Sequence, residues 1–261
     1  MPSMATKTPV RPSLTDAQLG EMMSLLRGSD SVELKLTVPP AQQRTAIRLL
    51  GLDALDAQIR QVVFFDTPDL ALDKVGVVVR ARRIQGRIGD SVIKLRPLDP
   101  EQVSKDVRRL SGFGVEVDAI PGGFVCSGRL KCDTDSDATR QVLLGERPLR
   151  KLYTKEQRAL YRAHAPEGIE LDDLAVLGPI FVLKLKWQPR DFARKLVAEM
   201  WLYPNGERIF ELSTKCLPSE AFQVATEARV YLSGHGIDLS GEQQTKTRTA
   251  LEFFSAELAA D

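Results

Sequence analysis

Ser31-Val-Glu-Leu-Lys-Leu-Thr-Val38 alternates polar and apolar residues without a break. Successive side chains of a strand point to opposite faces. Val32, Leu34, Leu36 and Val38 therefore share one face, and Ser31, Glu33, Lys35 and Thr37 share the other. Three later stretches repeat the pattern with mostly basic residues on the polar side: Val92-Ile-Lys-Leu-Arg96, Phe181-Val-Leu-Lys-Leu-Lys-Trp187 and Phe210-Glu-Leu-Ser-Thr-Lys215. A sheet with one charged and one apolar face is the central object these segments predict.

Composition limits the classes open to the chain. Its 261 residues are 43% hydrophobic and 27% charged, enough to bury a real core and inconsistent with general disorder. Lys+Arg 36 against Asp+Glu 35 leaves a net charge of +1, without the basic excess expected of a nucleic-acid-binding protein. The three cysteines, Cys126, Cys132 and Cys216, have no paired spacing and predict neither a disulfide framework nor a zinc site. No stretch approaches the ~18 apolar residues of a membrane span. The first residues lack the apolar core of a secretory signal, so a cytoplasmic location is expected.

Residues 1–12 hold three prolines and no periodic pattern and are expected to be a disordered lead-in; residues 13–261 are expected to form a single domain. A helix is predicted from Ser13 to Arg27, capped by Ser13 or Thr15 and stopped by Gly28. A second helix follows Pro39-Pro40 and breaks at Gly51. Gln61–Leu70 is a strand closed by the turn Asp66-Thr-Pro-Asp69. Val75–Ile84 and Val92–Arg96 are further strands, Val103–Leu110 contains a short helix, and Phe113–Asp118 alternates again. Pro121–Gly123 reads as loop, and the acidic stretch Asp133–Asp137 caps a helix reaching about Leu144. Leu149–Ala163 reads as one long strand or a strand pair carrying Lys151, Lys155, Arg158 and Arg162, followed by the short acidic segment Ile169–Asp172. Lys195–Tyr203 and Arg208–Lys215 flank the hairpin signal Pro204-Asn-Gly206. Helices over Pro218–Leu232 and Ser240–Leu258 complete the chain.

On the predicted polar faces sit Lys35, Arg80, Arg82, Lys94, Arg96, Arg158, Lys184, Lys186 and Lys215, together with Glu33, Glu116, Asp118, Glu170, Asp172 and Glu211. Alternation alone fits either a solvated outer face or a lining that encloses a ligand. The i, i+2 pairs Arg80/Arg82, Lys94/Arg96 and Lys184/Lys186 lie roughly 7 Å apart on one face and repel by about 2.4 kcal/mol at an effective dielectric of about 20. Inside a closed barrel that repulsion requires interleaved carboxylates or an anion. Phosphate chains suit it, because arginine binds phosphate through two parallel hydrogen bonds and lysine acts as a point charge. The neighbouring carboxylates could hold a hard divalent cation. His164 and His235, the two histidines, fall at predicted loops or helix ends, and no P-loop, G-x-G-x-x-G, G-x-S-x-G or H-E-x-x-H motif is present.

Glu33-x-Lys35, then Phe65-Asp-Thr-Pro-Asp-Leu-Ala-Leu72 leading to Arg80-x-Arg82, then Lys94-x-Arg96, resembles the CYTH family, the triphosphate tunnel metalloenzymes. The family includes class IV adenylate cyclases, thiamine triphosphatases and inorganic triphosphatases. The resemblance spans about residues 30 to 250 and is best over 30 to 96. It implies an α+β fold: an eight-stranded antiparallel β-barrel tunnel with flanking helices, in which basic residues grip a triphosphate or polyphosphate and acidic residues hold Mg²⁺ or Mn²⁺. Carried over by position, Lys35, Arg80, Arg82, Lys94, Arg158 and Lys246 fall on gripping positions, and Glu116, Glu170 and Asp172 on acidic ones.

Two departures bear on activity. Ser31 stands where the family pattern E-x-E-x-K has its first glutamate. The family's late E-x-E pattern aligns either with Lys184-Leu-Lys186 or with Glu211-Leu-Ser213. The resemblance thus implies a metal-dependent triphosphatase, with Glu33, Glu116, Glu170, Asp172 and Glu211 as ligands and Glu33, Lys35 and Glu211 as catalytic candidates. Arg80, Arg82, Lys94, Arg96, Arg158, Lys184, Lys186, Lys215 and Lys246 would bind the substrate. A non-catalytic polyphosphate- or nucleotide-binding module and a class IV-type cyclase remain alternatives. An uncovered apolar outer face would favour a homodimer.

Overall fold

The computed structural model describes residues 15–237 and 245–260. The expected lead-in, the Ser13 cap and the first residues expected of the last helix lie outside them. Helix α1 (Asp16–Gly28) is joined by two residues to β1 (Ser31–Val38) and doubles back on it. Next come α2 (Gln43–Leu49), β2 (Gln58–Asp66), the single turn α3 (Ala71–Lys74), and the hairpin of β3 (Val77–Ile84) and β4 (Arg87–Leu95). The short α4 (Lys105–Arg108) leads to a second hairpin, β5 (Phe113–Ile120) and β6 (Gly123–Thr134). Helices α5 (Ser136–Leu143) and α6 (Lys155–His164) precede the long β7 (Ala175–Trp187), and β8 (Leu196–Leu202) and β9 (Arg208–Cys216) form the third hairpin. Helices α7 (Ala221–Gly234) and α8 (Lys246–Ala260) end the described chain.

The strands close into one barrel in the order β1-β5-β6-β4-β3-β2-β7-β8-β9, with β9 pairing back onto β1. The barrel thus has nine strands, not eight, and is mixed: β1 and β5 run parallel, and every other pair is antiparallel. The unexpected strand is β6. Gly123 and Gly128 interrupt its alternation, yet Arg129 and Lys131 still share a face. A side chain at 128 would strike Leu98 and Phe113 at 2.8 and 3.2 Å, so packing outside the barrel excludes one there.

The second correction concerns Leu149–Ala163. It is a 3-10 turn (Leu149–Leu152) followed by helix α6. Thr154 and Gln157 form a reciprocal capping box, and Gln157, Leu160 and Tyr161 recur at helical spacing on the buried side. The basic residues of the stretch lie on a helix packed outside the wall, not on a strand that lines it. Gln157 fixes α6 by donating to the Ser91 and Leu130 carbonyls, at 3.0 Å each.

The apolar core lies between the barrel wall and these helices. Val32 packs with Leu26 of α1 and Val224 of α7, Leu36 and Val38 pack with Ala46 of α2 and Leu232 of α7, and Val62 and Val182 pack with Leu251 and Phe254 of α8. Val62 and Val182 share the lumen face with Arg60 and Lys184, so α8 packs against the lumen side, and the alternation leaves the charged positions facing the lumen.

Candidate functional site

The lumen is a cavity of about 400 Å³. Glu33 and Lys35 come from β1, Arg60 from β2, Arg80 and Arg82 from β3, and Asp90, Lys94 and Arg96 from β4 and its end. Glu116 and Asp118 come from β5, Arg129 and Lys131 from β6, Lys184 and Lys186 from β7, Glu199 from β8, Glu211 and Lys215 from β9, and Lys246 from α8. Twelve basic side chains thus face six carboxylates. Alternation puts them there, and closure supplies the neighbours.

The parallel β1–β5 pairing sets Ser31 beside Glu116 and Glu33 beside Asp118, while the antiparallel β1–β9 pairing sets Glu33 beside Lys215. Three carboxylates meet here: oxygens of Glu33, Glu116 and Asp118 lie within 4.8 Å of one another. Lys35 Nζ is 2.7 Å from Asp118 and 3.2 Å from Glu33, Lys94 and Arg96 approach Asp118 at 3.6 and 3.7 Å, and Lys215 pairs with Glu116. Ser31 Oγ donates to Glu116 at 3.5 Å and Ser213 Oγ to Glu33 at 3.2 Å. The carboxylate missing at position 31 therefore has acidic neighbours one strand away. Asp118 is buried, and Lys35 is the cation nearest to it.

Burial works against the charge on Asp118, but Lys35 and Lys94 more than offset it and hold its carboxyl well below the usual range. Burial likewise opposes the Lys35 ammonium, and Asp118 and Glu33 more than compensate, so its pKa is raised. Lys94 is different. Burial pushes it down to about 8; Asp118 only partly offsets that, and Lys35 and Arg96 add to it. Arg80 is pressed downward by burial and by Arg82; a guanidinium nonetheless stays charged at ordinary pH. Its Nε is buried without a partner.

A second network closes the lumen on the α8 side. Lys246 Nζ lies 2.5 Å from Glu199 and 2.7 Å from Glu211, over the Trp201 ring at 5.2 Å, and Lys184 reaches the other Glu199 oxygen at 2.5 Å. Burial disfavours the Glu199 charge, but Lys246 and Lys184 drive its pKa well below the ordinary value. On β3 and β4, Arg82 binds Asp90 through two nitrogens at 2.7–3.1 Å.

Of the residues singled out from sequence, Glu33, Lys35, Arg80, Arg82, Lys94, Arg96, Glu116, Lys184, Lys186, Glu211, Lys215 and Lys246 face this lumen. Arg158, Glu170 and Asp172 do not. Arg158 donates to the Tyr153 and Arg150 carbonyls, Asp172 pairs with Arg150, and Glu170 faces Arg162 at 3.9 Å, all on the helical exterior. The strand expected over 149–163 is what had placed Arg158 in the lumen. Arg60, Asp90, Arg129, Lys131 and Glu199 were not singled out. For Glu199, Val197-x-Glu199-x-Trp201 on a predicted strand was the available signal. Asp118 was placed on the polar face with Glu116 but given no ligand role.

A closed barrel with a charged lumen and an apolar exterior defines the class: a tunnel barrel. No family model and no curated protein matches the chain. Solved structures do. A candidate adenylate cyclase from Bacillus halodurans superposes with a TM-score of 0.58 at 14% identity, covering 84% of this chain and 97% of that one. A candidate adenylyl cyclase from Hippeastrum, described as having a dominant triphosphatase activity, superposes at 0.61 with 17% identity, covering 86% and 96%. The chain has the CYTH, or triphosphate tunnel, fold.

Proposed function

We propose that the protein binds a linear triphosphate or polyphosphate in the tunnel and hydrolyses it with a divalent cation held by Glu33, Glu116 and Asp118. The observation that carries this reading is the set of lumen cations with no carboxylate in ion-pair reach among the described residues: Arg60, Arg80, Arg129 and Lys186. A half-buried guanidinium such as Arg80, whose Nε is buried and unpaired, is costly unless an anion meets it. The lining otherwise consists of aliphatic residues, two threonines and Trp201, whose face Lys246 covers. The lining's one aromatic face is thus already covered, which favours an inorganic chain over a nucleotide whose base would stack there.

The three clustered carboxylates fit a hard cation. Their donors are oxygens, as Mg²⁺ and Mn²⁺ require, and they converge to within 4.8 Å of one another. Such an ion would neutralise phosphate charge and acidify a water molecule. The chain's own groups do the rest. Lys35 keeps Asp118 and Glu33 ionised, while Arg80, Arg82 and Lys94 hold phosphate oxygens and stabilise charge as a phosphoanhydride bond breaks. Hydrolysis adds one water across that bond and yields two phosphate products.

A non-catalytic binding module is the second reading. Lys184 and Lys246 already neutralise Glu199 and, in part, Glu211, so that acidic pair is occupied. One assay separates the readings: phosphate release from tripolyphosphate, ATP and thiamine triphosphate with Mg²⁺, Mn²⁺ or EDTA, beside calorimetric binding. Metal-stimulated release from tripolyphosphate is expected. Tight binding with no release under any metal would instead support the module, and conversion of ATP to a cyclic nucleotide would support a cyclase.

A further inference from the structure

A second large cavity lies outside the tunnel, between the barrel wall and α7. Its volume is about 320 Å³, and Leu34, Leu36, Leu196 and Leu212 form its wall side. Helix α7 is anchored at both ends, by Val224 in one apolar cluster and Leu232 in another. Between these anchors it presents Ala225 and Ala228 to the cavity, whose single methyl groups leave a gap above the strands. The gap has the volume of about ten waters in the liquid, but a site with so few polar partners suits an apolar occupant better than water.

One charge marks the rim. Arg229 lines the cavity, is exposed, and makes no ion pair among the described residues. The Lys35 side chain, by contrast, turns into the tunnel toward Asp118. Arg229 and Ala225 also border a shallow exterior depression lined by Phe222 and Val230, which are 52% and 68% exposed. An apolar interior, a free guanidinium at its mouth and an apolar approach together have the form of an amphiphile site.

We propose that this cavity binds a single-chain anionic amphiphile, with its chain under α7 and its head group on Arg229. Burial of the chain supplies the affinity, and the guanidinium selects an anionic head. The cavity shares Lys35 and Ile120 with the tunnel lining, but the proposal does not depend on what the tunnel binds.

Decanoate is the probe. The full chain is titrated with decanoate by calorimetry and by displacement of the fluorescent sulfonate ANS, with decanol and tripolyphosphate as comparison ligands. Decanoate is expected to bind and displace the dye, whereas tripolyphosphate does not. Arg229→Gln, a surface change, is expected to weaken decanoate about tenfold and leave decanol unchanged. Ala228→Leu, which fills the gap, is expected to abolish binding of both while preserving or raising the melting temperature. Absence of decanoate binding to the unaltered chain would overturn the proposal. So would equal loss of decanoate and decanol in Arg229→Gln, or a folded Ala228→Leu protein that binds like the parent.

Discussion

Lys94 shows how much of the site is decided by single side chains. Its pKa in the folded chain is pushed down to about 8 by burial, below the ~10.4 of a free lysine. Between those values the folded protein binds fewer protons than the unfolded chain, so this residue makes stability rise with pH across that window. An anion beside Lys94 restores its charge. Tripolyphosphate binding at pH 8.5–9 is therefore expected to draw a proton onto the protein, seen as a dependence of calorimetric heat on buffer ionisation enthalpy. Lys94→Arg should remove most of that dependence, and an unchanged dependence would contradict the assignment. Asp118 has the opposite sign. Its folded pKa is depressed, so its contribution is present above about pH 4 and is lost as pH falls toward the folded value. Lys35→Met would strip Asp118 of its nearest cation and is expected to cost about 3 kcal/mol at neutral pH, checked by urea denaturation. Lys94 and Arg96 remain near Asp118, which keeps the loss toward the lower end.

At the scale of elements, Phe65-Asp-Thr-Pro-Asp-Leu-Ala-Leu72 was the most legible stretch, and the structure shows a folding reason for it. The Asp66 carboxylate accepts from the backbone N–H groups of Thr67, Leu72 and Asp73 at 2.7–3.0 Å, and Leu70 takes a left-handed conformation with φ 59°. The motif fixes the β2–α3 corner and places none of its own side chains in the tunnel lining. Asp66→Ala is accordingly expected to cost about 1–3 kcal/mol of stability with little change in anion affinity. Strands β1 and β7 were readable because one face of each is apolar throughout, and β3, β4 and β9 because part of each alternates sharply between apolar and charged residues. Strand β6 was not, because the requirement for glycine at 128 comes from Leu98 and Phe113, remote in sequence. Helix α6 was misread although its capping box was present in Thr154-x-x-Gln157 and its basic residues Lys155, Arg158 and Arg162 recur at the helical spacing of three and four. This difference is testable. Arg158→Ala on α6 is expected to leave tripolyphosphate affinity unchanged, whereas Arg80→Ala should weaken it about tenfold to a hundredfold, the worth of a hydrogen bond to a charged group.

At the scale of the molecule, closure does what no single strand can. It removes exposed sheet edges and places twelve cations around six carboxylates in one lumen. The acidic cluster depends on it, because Glu33 meets Glu116 and Asp118 only through the parallel β1–β5 pairing. Parallel pairing leaves no trace in the alternation of either strand, so this part of the site was out of reach of the sequence. The basic part was within reach because i, i+2 spacing carries it. Whether the lumen is an anion site is tested most directly by tripolyphosphate-induced thermal stabilisation of the unaltered chain and of Arg80→Ala/Arg82→Ala. A rise in melting temperature for the unaltered chain that is lost in the double variant is the expected result. An equal rise in both, or none in the unaltered chain, would contradict it.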